Sequence, residues 1–232
     1  MRIEEFVDPV IGKTWGELEA QIRLSEKKVE VGLGYPTDGF AEDLKEELAR
    51  FLGMDDLDVD FQFLRPKQRS FADVSRVIAI ASGKGGVGKS TCAVNLAMAL
   101  EQQGARVGLL DADIYGPSVG MMLGISPDLK PTIKEEKYFE PIKINGIRTM
   151  SMSFLVNENT PMVWRGPMAS GALQQMLLQT LWGEIDYLIV DMPPGTGDIQ
   201  LTLSQKVSVD GAVIVTTPQD IALQDAVKGI EM

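Results

Sequence analysis

The chain has 232 residues and a net charge of −11, with 44% hydrophobic and 24% charged residues. This composition excludes wholesale disorder, and the length predicts one large or two smaller domains. One cysteine and no histidine exclude an intrachain disulfide, a Cys/His zinc cluster and histidine-based acid–base chemistry. The excess of acidic residues argues against binding to duplex DNA, which requires a basic protein surface. We therefore expect no nucleic-acid partner.

The sequence carries no membrane or secretory signal. Its longest uninterrupted apolar runs, 77–81 and 96–100, have five residues each, whereas a membrane-spanning helix needs about 20. The first ten residues hold two glutamates and an aspartate, and they lack the apolar core of a signal peptide. We therefore expect a cytoplasmic protein with no membrane partner.

Most of the negative charge lies in residues 1–64, which we predict to be a small α+β domain. They carry 7 basic and 16 acidic side chains, against 15 and 17 in the other 168 residues. A basic, proline-containing stretch follows at 65–70 and indicates a linker, which we assign to residues 65–75. The step in charge density thus marks a domain boundary.

Three elements are predicted within this first domain. Alternating apolar residues on both sides of a polar turn indicate a hairpin at 21–24 and 28–33. An apolar stripe at helical spacing indicates a helix over about 38–52, which Gly53 ends. A further alternating stretch indicates a strand at 57–63.

From residue 76 onward, buried strands alternate with helices. Four stretches are almost entirely apolar, as parallel strands buried on both faces are: 77–82, 106–111, 187–191 and 212–217. Helical patterns lie at 89–103, about 170–182, 200–206 and from 223. This alternation predicts a doubly wound, mostly parallel α/β sheet for residues 76–232. An exposed hairpin is predicted within 134–147, with Asn145-Gly146 as its turn.

A glycine-rich loop follows the first of these strands and leads into a helix. It consists of Gly83, Lys84, Gly85, Gly86, Val87, Gly88, Lys89, Ser90 and Thr91, the G-x-x-x-x-G-K-S pattern. Glycines permit positive φ and let backbone N–H groups wrap a polyphosphate, and the helix N-terminus adds its positive dipole end. We predict a polyphosphate site in which Lys89 reaches the β and γ phosphates and Ser90 binds Mg²⁺; the alternative is an ordinary glycine-rich turn.

Lys84 adds a second lysine directly after the first glycine of the loop. This arrangement resembles the deviant Walker A group, the ParA/MinD-like ATPases. The resemblance implies that Lys84 reaches across a nucleotide-sandwich dimer to the phosphates of the partner and acts there as a catalytic cation. The alternative is a solvated loop lysine.

Three carboxylates follow predicted strands, at the ends where open α/β sheets bind ligands. Asp191 is interpreted as a Walker B carboxylate that holds Mg²⁺ through water, and Asp111 as a residue closer to the metal. Asp113 occupies the position at which the ParA/MinD-like group has an aspartate that orients the attacking water. For Asp111 and Asp113 the alternative is a helix N-cap or turn residue.

A proline- and glycine-rich loop comes directly after Asp191. We interpret it as a switch II segment, able to rearrange when a γ-phosphate arrives or leaves. Its residues are Pro194, Gly195, Thr196, Gly197 and Asp198.

Longer stretches resemble one family, the Mrp/ApbC iron–sulfur cluster carrier ATPases. They cover 109–124, 162–177, 186–198 and 216–232, and include LLDADIYGPSVGMMLG and DYLIVDMPPGTGD. The resemblance implies a homodimer that hydrolyses ATP slowly, binds a bridging [4Fe–4S] cluster and passes it to apo iron–sulfur proteins, in contact with cluster assembly proteins. DPVIGKTW and LGYPTDGF in the first domain resemble the MIP18-like (DUF59) domain.

The sequence departs from this family in its cysteines. The family holds the cluster with a C-terminal CxxC pair from each protomer, whereas this chain has only Cys92, which we predict to be a small core residue. We therefore expect a C-terminally shortened member of the family. Tyr35 stands where some MIP18-like domains have a cysteine, so the resemblance implies no thiol chemistry there.

Two other functions remain open from the sequence. The first is a nucleotide-gated localisation switch like ParA or MinD, which needs a basic DNA-binding surface or a basic amphipathic membrane helix. The second is a scaffold that binds nucleotide without turning it over.

Overall fold

The computed structural model describes most of the chain and divides it into two compact units. The described residues are 2–25, 28–54, 57–64, 73–114, 116–155, 166–195 and 198–231. The first unit comprises Met1–Pro66 and Gln102–Ala105, and the second comprises Lys67–Glu101 and Arg106–Met232. None of the helices within the described ranges combines the length and the apolar character needed to cross a membrane.

The first unit is a three-stranded sheet with one α-helix. Strand β1 (Gln21–Ser25) pairs antiparallel with β2 (Lys28–Leu33), which confirms the predicted hairpin. Strand β2 also pairs parallel with β3 (Asp58–Phe63), and the crossover that a parallel pair needs contains helix α1 (Ala41–Leu52). The core combines apolar side chains from the sheet, from α1 and from the segment before β1: Val31, Leu33, Leu44, Leu48 and Trp15.

Helix α1 begins three residues later than the prediction of 38–52. The Phe40 N–H donates to the Thr37 carbonyl at 3.0 Å, so residues 37–40 form a turn. Gly39 lies within this turn, and the backbone entropy of glycine disfavours its inclusion in a helix. The predicted end is confirmed, because Gly53 follows the helix with a φ of 67°, the left-handed conformation of a glycine C-cap.

One buried carboxylate connects the two stretches on which the MIP18-like resemblance rests. Asp8 Oδ1 accepts hydrogen bonds from the N–H groups of Val10 at 2.9 Å and Ile11 at 3.0 Å. Its Oδ2 accepts one from the Trp15 indole at 3.0 Å and another from the Tyr35 hydroxyl. Burial and the neighbouring carboxylate raise the pKa of Tyr35, so the hydroxyl stays a donor. Asp8 therefore anchors both segments in the fold.

The second unit contains eight strands, five α-helices and a short 3₁₀ turn, Met152–Phe154, within the described ranges. Its strands and helices in chain order are β4 (Val74–Ala81), α2 (Lys89–Gln102), β5 (Val107–Asp111), α3 (Val119–Met122), β6 (Thr132–Lys134), β7 (Tyr138–Glu140), β8 (Ile142–Ile144), β9 (Ile147–Ser151), α4 (Gly166–Gln179), β10 (Ile185–Asp191), α5 (Asp198–Lys206), β11 (Gly211–Ile214) and α6 (Asp220–Glu231).

Six of these strands form the central sheet, in the order β11-β4-β10-β5-β9-β8. All neighbouring pairs are parallel except β8 and β9. Strands β4, β5 and β10 lie at the centre and are mostly buried, as their apolar sequences predict. The predicted doubly wound, mostly parallel α/β fold is confirmed. Because β10 lies between β4 and β5, the carboxyl ends of these three strands are adjacent.

Two local features test predictions made for this unit, the start of its first strand and the position of a hairpin turn. Strand β4 begins at Val74, which is buried and pairs with Ile185, so the last two residues of the predicted linker 65–75 belong to the sheet. Asn145 and Gly146 have φ values of 47° and 76° and join β8 to β9. Positive φ at both central residues is required for a type I′ turn, so the predicted hairpin turn is confirmed.

Candidate functional site

Residues 83–91 cover most of the loop between β4 and α2 and the first residues of α2, and the loop has a backbone conformation suited to glycine. Gly86 and Gly88 have φ values of 77° and 91°, where a side chain strains the backbone. Helix α2 begins at Lys89, so the unpaired N–H groups of its first turn adjoin the loop. Backbone donors and the positive end of a helix dipole together suit a polyphosphate.

Gly83, the first residue of the loop, packs directly against α6. A Cβ at this position would lie 2.6 Å from the Cβ of Asp225 and 3.2 Å from its carbonyl carbon. Neither atom is at the flexible end of a side chain, so a larger residue would have to displace the helix or the loop. The close approach of α6 explains the glycine here without any positive φ.

Lys89 lies at the centre of the site, and its side chain is only 6% exposed. Its Nζ is 2.6 Å from Asp191 Oδ1, 3.3 Å from Ser90 Oγ and 3.8 Å from Asp113 Oδ2. A buried ammonium requires a charged or hydrogen-bonding partner. Asp191 supplies it from the end of β10, and the strand order brings that residue next to the loop that follows β4.

Asp191 is fully buried and has one oxygen without a partner. Its Oδ2 accepts no hydrogen bond from the described residues, although its Oδ1 is paired with Lys89. Burial raises the pKa of this carboxyl, and the nearby Lys89 ammonium opposes the rise. A buried, unpaired carboxylate oxygen beside a serine hydroxyl is an oxygen donor set of the kind that Mg²⁺ prefers.

Asp111 lies beside Asp191 in the sheet register, but its oxygens are already occupied. Its Oδ1 accepts from the Asp113 N–H, and its Oδ2 accepts from the N–H groups of Ser118 and Val119 and from the Ser151 hydroxyl, all at 3.1 Å. Burial, and secondly repulsion from Asp191, raise the pKa of Asp111 to about 7. These contacts hold the N-terminal end of α3, whose N-cap residue is Ser118, so Asp111 fits the alternative of a turn residue.

Asp113 faces Lys89 with one oxygen and the following loop with the other. Its Oδ1 accepts from the Gly116 N–H at 3.1 Å, and its Oδ2 is the atom 3.8 Å from Lys89 Nζ. Asp191, Asp113 and Lys89 thus come together as the sequence predicted. No group of three or more histidine, cysteine or acidic residues within the described ranges is arranged to hold a metal ion. Mg²⁺ here would need further oxygens, from Ser90, water or phosphate.

Lys84 is exposed and points to a residue that the sequence analysis did not select. Its Nζ donates to Gln219 Oε1 at 3.0 Å, just before α6. Gln219 is part of the TTPQD stretch at 216–220, but nothing in that pattern predicts a contact with a loop more than a hundred residues earlier.

The predicted switch II segment is only partly described. Thr196 and Gly197 lie outside the described residues, as does the side chain of Asp198, the first residue of α5. Pro194 is exposed. Gly195 has a φ of 92° and donates its N–H to the Ser82 carbonyl at 2.8 Å. The segment therefore begins in contact with the residue that precedes the phosphate loop.

Cys92 corrects a prediction. It lies on the first turn of α2 and is half-buried with a free thiol, rather than in the core. The next two residues along the helix, Ala93 and Val94, are buried. Sequence spacing alone did not distinguish the inner face of α2 from its side.

The fold and the site define a P-loop nucleoside triphosphatase. A family model described as ParA, NUBPL iron-transfer P-loop NTPase, matches residues 73–232. The chain belongs to this family, and the resemblance of residues 109–232 to iron–sulfur cluster carrier ATPases is confirmed.

Two curated relatives and one solved structure illustrate the match. The iron-sulfur cluster carrier protein of Pseudomonas fragi is 65% identical over 161 residues, 69% of this chain and 56% of that protein. The iron-sulfur cluster transfer protein NUBPL of Mus musculus is 54% identical over 171 residues, 72% of this chain and 52% of that protein. The chain thus spans about half the length of these relatives.

A similar fold occurs in a nucleotide-binding protein from Archaeoglobus fulgidus that was solved in complex with ADP. The two chains are 38% identical with a TM-score of 0.57, and the match covers 68% of this chain and 62% of the other.

Proposed function

We propose that this chain is the ATP-binding and ATP-hydrolysing part of an iron–sulfur cluster carrier. The observation that carries the proposal is the convergence of Lys89, Asp191 and Asp113 beside a glycine-rich loop. Membership of the NUBPL iron-transfer family and the names of the curated relatives support the link to iron–sulfur clusters. We also propose that the protein is a cytoplasmic homodimer that hydrolyses ATP slowly.

In this proposal the residues of the site have separate tasks. Residues 83–91 surround the phosphates with backbone N–H groups, and Lys89 leaves Asp191 to contact the β and γ phosphates. Ser90 and Asp191 would hold Mg²⁺, with Asp111 nearby, and a bound ion would neutralise phosphate charge. Asp113 accepts a hydrogen bond from the attacking water and orients it. As the water oxygen bonds to the γ-phosphorus, the bond to the β–γ bridging oxygen breaks and ADP leaves.

Lys84 and the switch II segment complete the proposed cycle. Lys84 leaves Gln219 and reaches the phosphates that the partner protomer binds. Its positive charge there adds to the charge of the Lys89 side chain in that partner protomer. The segment that begins at Pro194 responds to the γ-phosphate through Gly195, which adjoins Ser82.

The iron–sulfur cluster is the cargo of the proposed carrier. The 232 residues contain a single cysteine, Cys92, and therefore no CxxC pair. We assign this chain the nucleotide part of the reaction, with apo iron–sulfur proteins and cluster assembly proteins as its partners. We propose that the first unit, with its MIP18-like motifs, contributes a further contact surface.

Phosphate release with Mg²⁺ and ATP tests the proposal. We expect slow release by the unmodified chain and none by Lys89→Ala, because no other described side chain places a buried cation at the loop. Lys134→Ala is the control, since it removes an exposed lysine of the β6–β7 hairpin that pairs with Glu140. Unchanged release in Lys89→Ala would contradict the proposal, and ATP binding without release would support a scaffold instead.

A further inference from the structure

Gln200 lies in the first turn of α5, and its side chain reaches back to the turn that follows Asp191. Its Nε2 donates to the Pro193 carbonyl at 3.1 Å and to the Gly195 carbonyl at 2.7 Å. A primary amide has two N–H donors, and carbonyl oxygens can only accept. The two contacts therefore fix the orientation of the carboxamide, and both of its N–H groups are used on the same short turn.

The same turn is tied on its other side to the residue before the phosphate loop. The Gly195 N–H donates to the Ser82 carbonyl at 2.8 Å, and Ser82 directly precedes Gly83. Gly195 has a φ of 92°, a conformation that glycine adopts readily and other residues do not. Gln200 holds the carbonyl groups at both ends of this turn, so the turn is restrained from two sides.

Helix α5 is a firm base for this contact. It packs against α4, and its Ile199 and Leu203 side chains are buried. A side chain rooted in such a helix restricts the turn more than an exposed loop residue does. The connection runs from α5 through Gln200 to the turn, and from the turn to Asp191 on one side and Ser82 on the other.

We propose that Gln200 is a positioning residue for ATP hydrolysis. It fixes the turn after Asp191 and thereby sets the position of that carboxylate and of the Gly195 N–H relative to the phosphate loop. This inference rests on the proposed function, in which Lys89 leaves Asp191 on nucleotide binding, so that the carboxylate loses its ion-pair partner and depends more on the backbone turn that follows it.

The test compares Gln200→Met with Gln205→Met in the full chain. Methionine matches the length of glutamine but donates no hydrogen bond, and Gln205 is an exposed residue of the same helix. Because small displacements of a site can cost up to about a hundredfold in rate, we expect the kcat of phosphate release to fall about tenfold in Gln200→Met. The affinity of Gln200→Met for ADP is expected to stay unchanged. The kcat of Gln205→Met is expected to equal that of the unmodified chain.

A second readout follows the turn itself. The exchange rate of the Gly195 amide hydrogen is expected to rise about tenfold in Gln200→Met, because the turn opens more often once its carbonyls lose their partner. Gln200→Lys, which keeps N–H donors at a similar reach, is expected to restore most of the protection. A role in stability alone would lower the melting temperature without this selective change at Gly195.

The outcomes separate the inference from the proposed function. If the unmodified chain releases no phosphate, the proposed function fails, and the exchange rate at Gly195 still decides whether Gln200 holds the turn. If the unmodified chain is active and Gln200→Met matches it in kcat and in exchange, the inference is wrong. Faster exchange in Gln200→Met together with equal kcat would also refute a positioning role.

If Gln200→Met fails to fold, Gln200→Lys is compared with Gln205→Lys instead. Slow phosphate release or fast exchange of the Gly195 amide in Gln200→Lys, but not in Gln205→Lys, would then contradict the proposal.

Discussion

Replacing Asp191 with asparagine should strengthen nucleotide binding when magnesium is absent. In the structure, Asp191 Oδ1 and Lys89 Nζ are 2.6 Å apart and both side chains are buried. A nucleotide that binds without a cation must therefore take Lys89 from Asp191. It must also leave the carboxylate buried, unpaired and close to the phosphate charges. Asparagine keeps the size of the side chain, and its neutral amide oxygen binds Lys89 less strongly and leaves no buried charge, so both costs fall.

The expected magnitude follows from the contact that has to be broken. A hydrogen bond to a charged group contributes about 1.5–3 kcal/mol. Since about 1.4 kcal/mol corresponds to a factor of ten in Kd, Asp191→Asn should lower the Kd for ADP in EDTA by about ten- to a hundredfold. With magnesium present the advantage should disappear, because asparagine offers the cation a neutral and weaker ligand.

Calorimetric titration with ADP, in EDTA and then in magnesium, measures both effects. Asp186→Asn is the matched control, because Asp186 lies on the same strand, is also fully buried and pairs with Arg106 at 2.8 Å. It stands at the opposite end of β10, so it should lose stability without changing the magnesium dependence. An Asp191→Asn variant that binds ADP in EDTA no better than the unmodified chain would refute this reasoning.

Three further substitutions test other contacts. Gly83→Ala creates a Cβ 2.6 Å from the Cβ of Asp225, so urea unfolding should show a loss of about 1–3 kcal/mol, and an unchanged midpoint would contradict the close packing. Asp8→Ala removes the acceptor of the buried Trp15 indole; we expect about 3 kcal/mol or more of lost stability and red-shifted tryptophan emission, and native emission would count against an anchoring role. Lys84→Ala should slow phosphate release without weakening ADP binding, and a weaker affinity for ADP would assign this lysine to the site of its own chain.

The fold of the second unit could be predicted because its signals are local. Residues 107–110 of β5 and 187–190 of β10 are apolar runs followed by aspartate, and the loop motif between β4 and α2 specifies its own strand–loop–helix context. The turn at Asn145-Gly146 was predictable for the same reason. Each of these patterns requires only neighbouring residues.

The contacts inside the site depend on the order of strands, which no local pattern contains. The pairing of Lys89 with Asp191 arises because β10 lies next to β4, although the two residues are far apart in sequence. Likewise, the Ser151 hydroxyl reaches Asp111 because β9 lies next to β5. The sequence therefore predicted which residues form the site, but not how their oxygens are shared.

Two glutamines were missed because glutamine carries no distinctive pattern. Gln200 lies within a helical segment where a polar surface residue is expected, and Gln219 lies in a loop. Both act through amide groups that contact loops, Gln200 on the turn after Asp191 and Gln219 on Lys84. Cys92 illustrates the opposite error, since a small apolar residue was assigned to the core and lies half-buried instead.

A crystal structure of the chain with ADP and magnesium tests the central claim most directly, through the position of Lys89 Nζ. The claim is that residues 83–91 bind the phosphates and that Lys89, now 2.6 Å from Asp191, exchanges this partner for phosphate. We predict phosphate oxygens against the loop amides, Lys89 Nζ on the phosphates and Asp191 turned to the magnesium ion. A nucleotide bound elsewhere, or bound at the loop with Lys89 still paired to Asp191, would contradict the account.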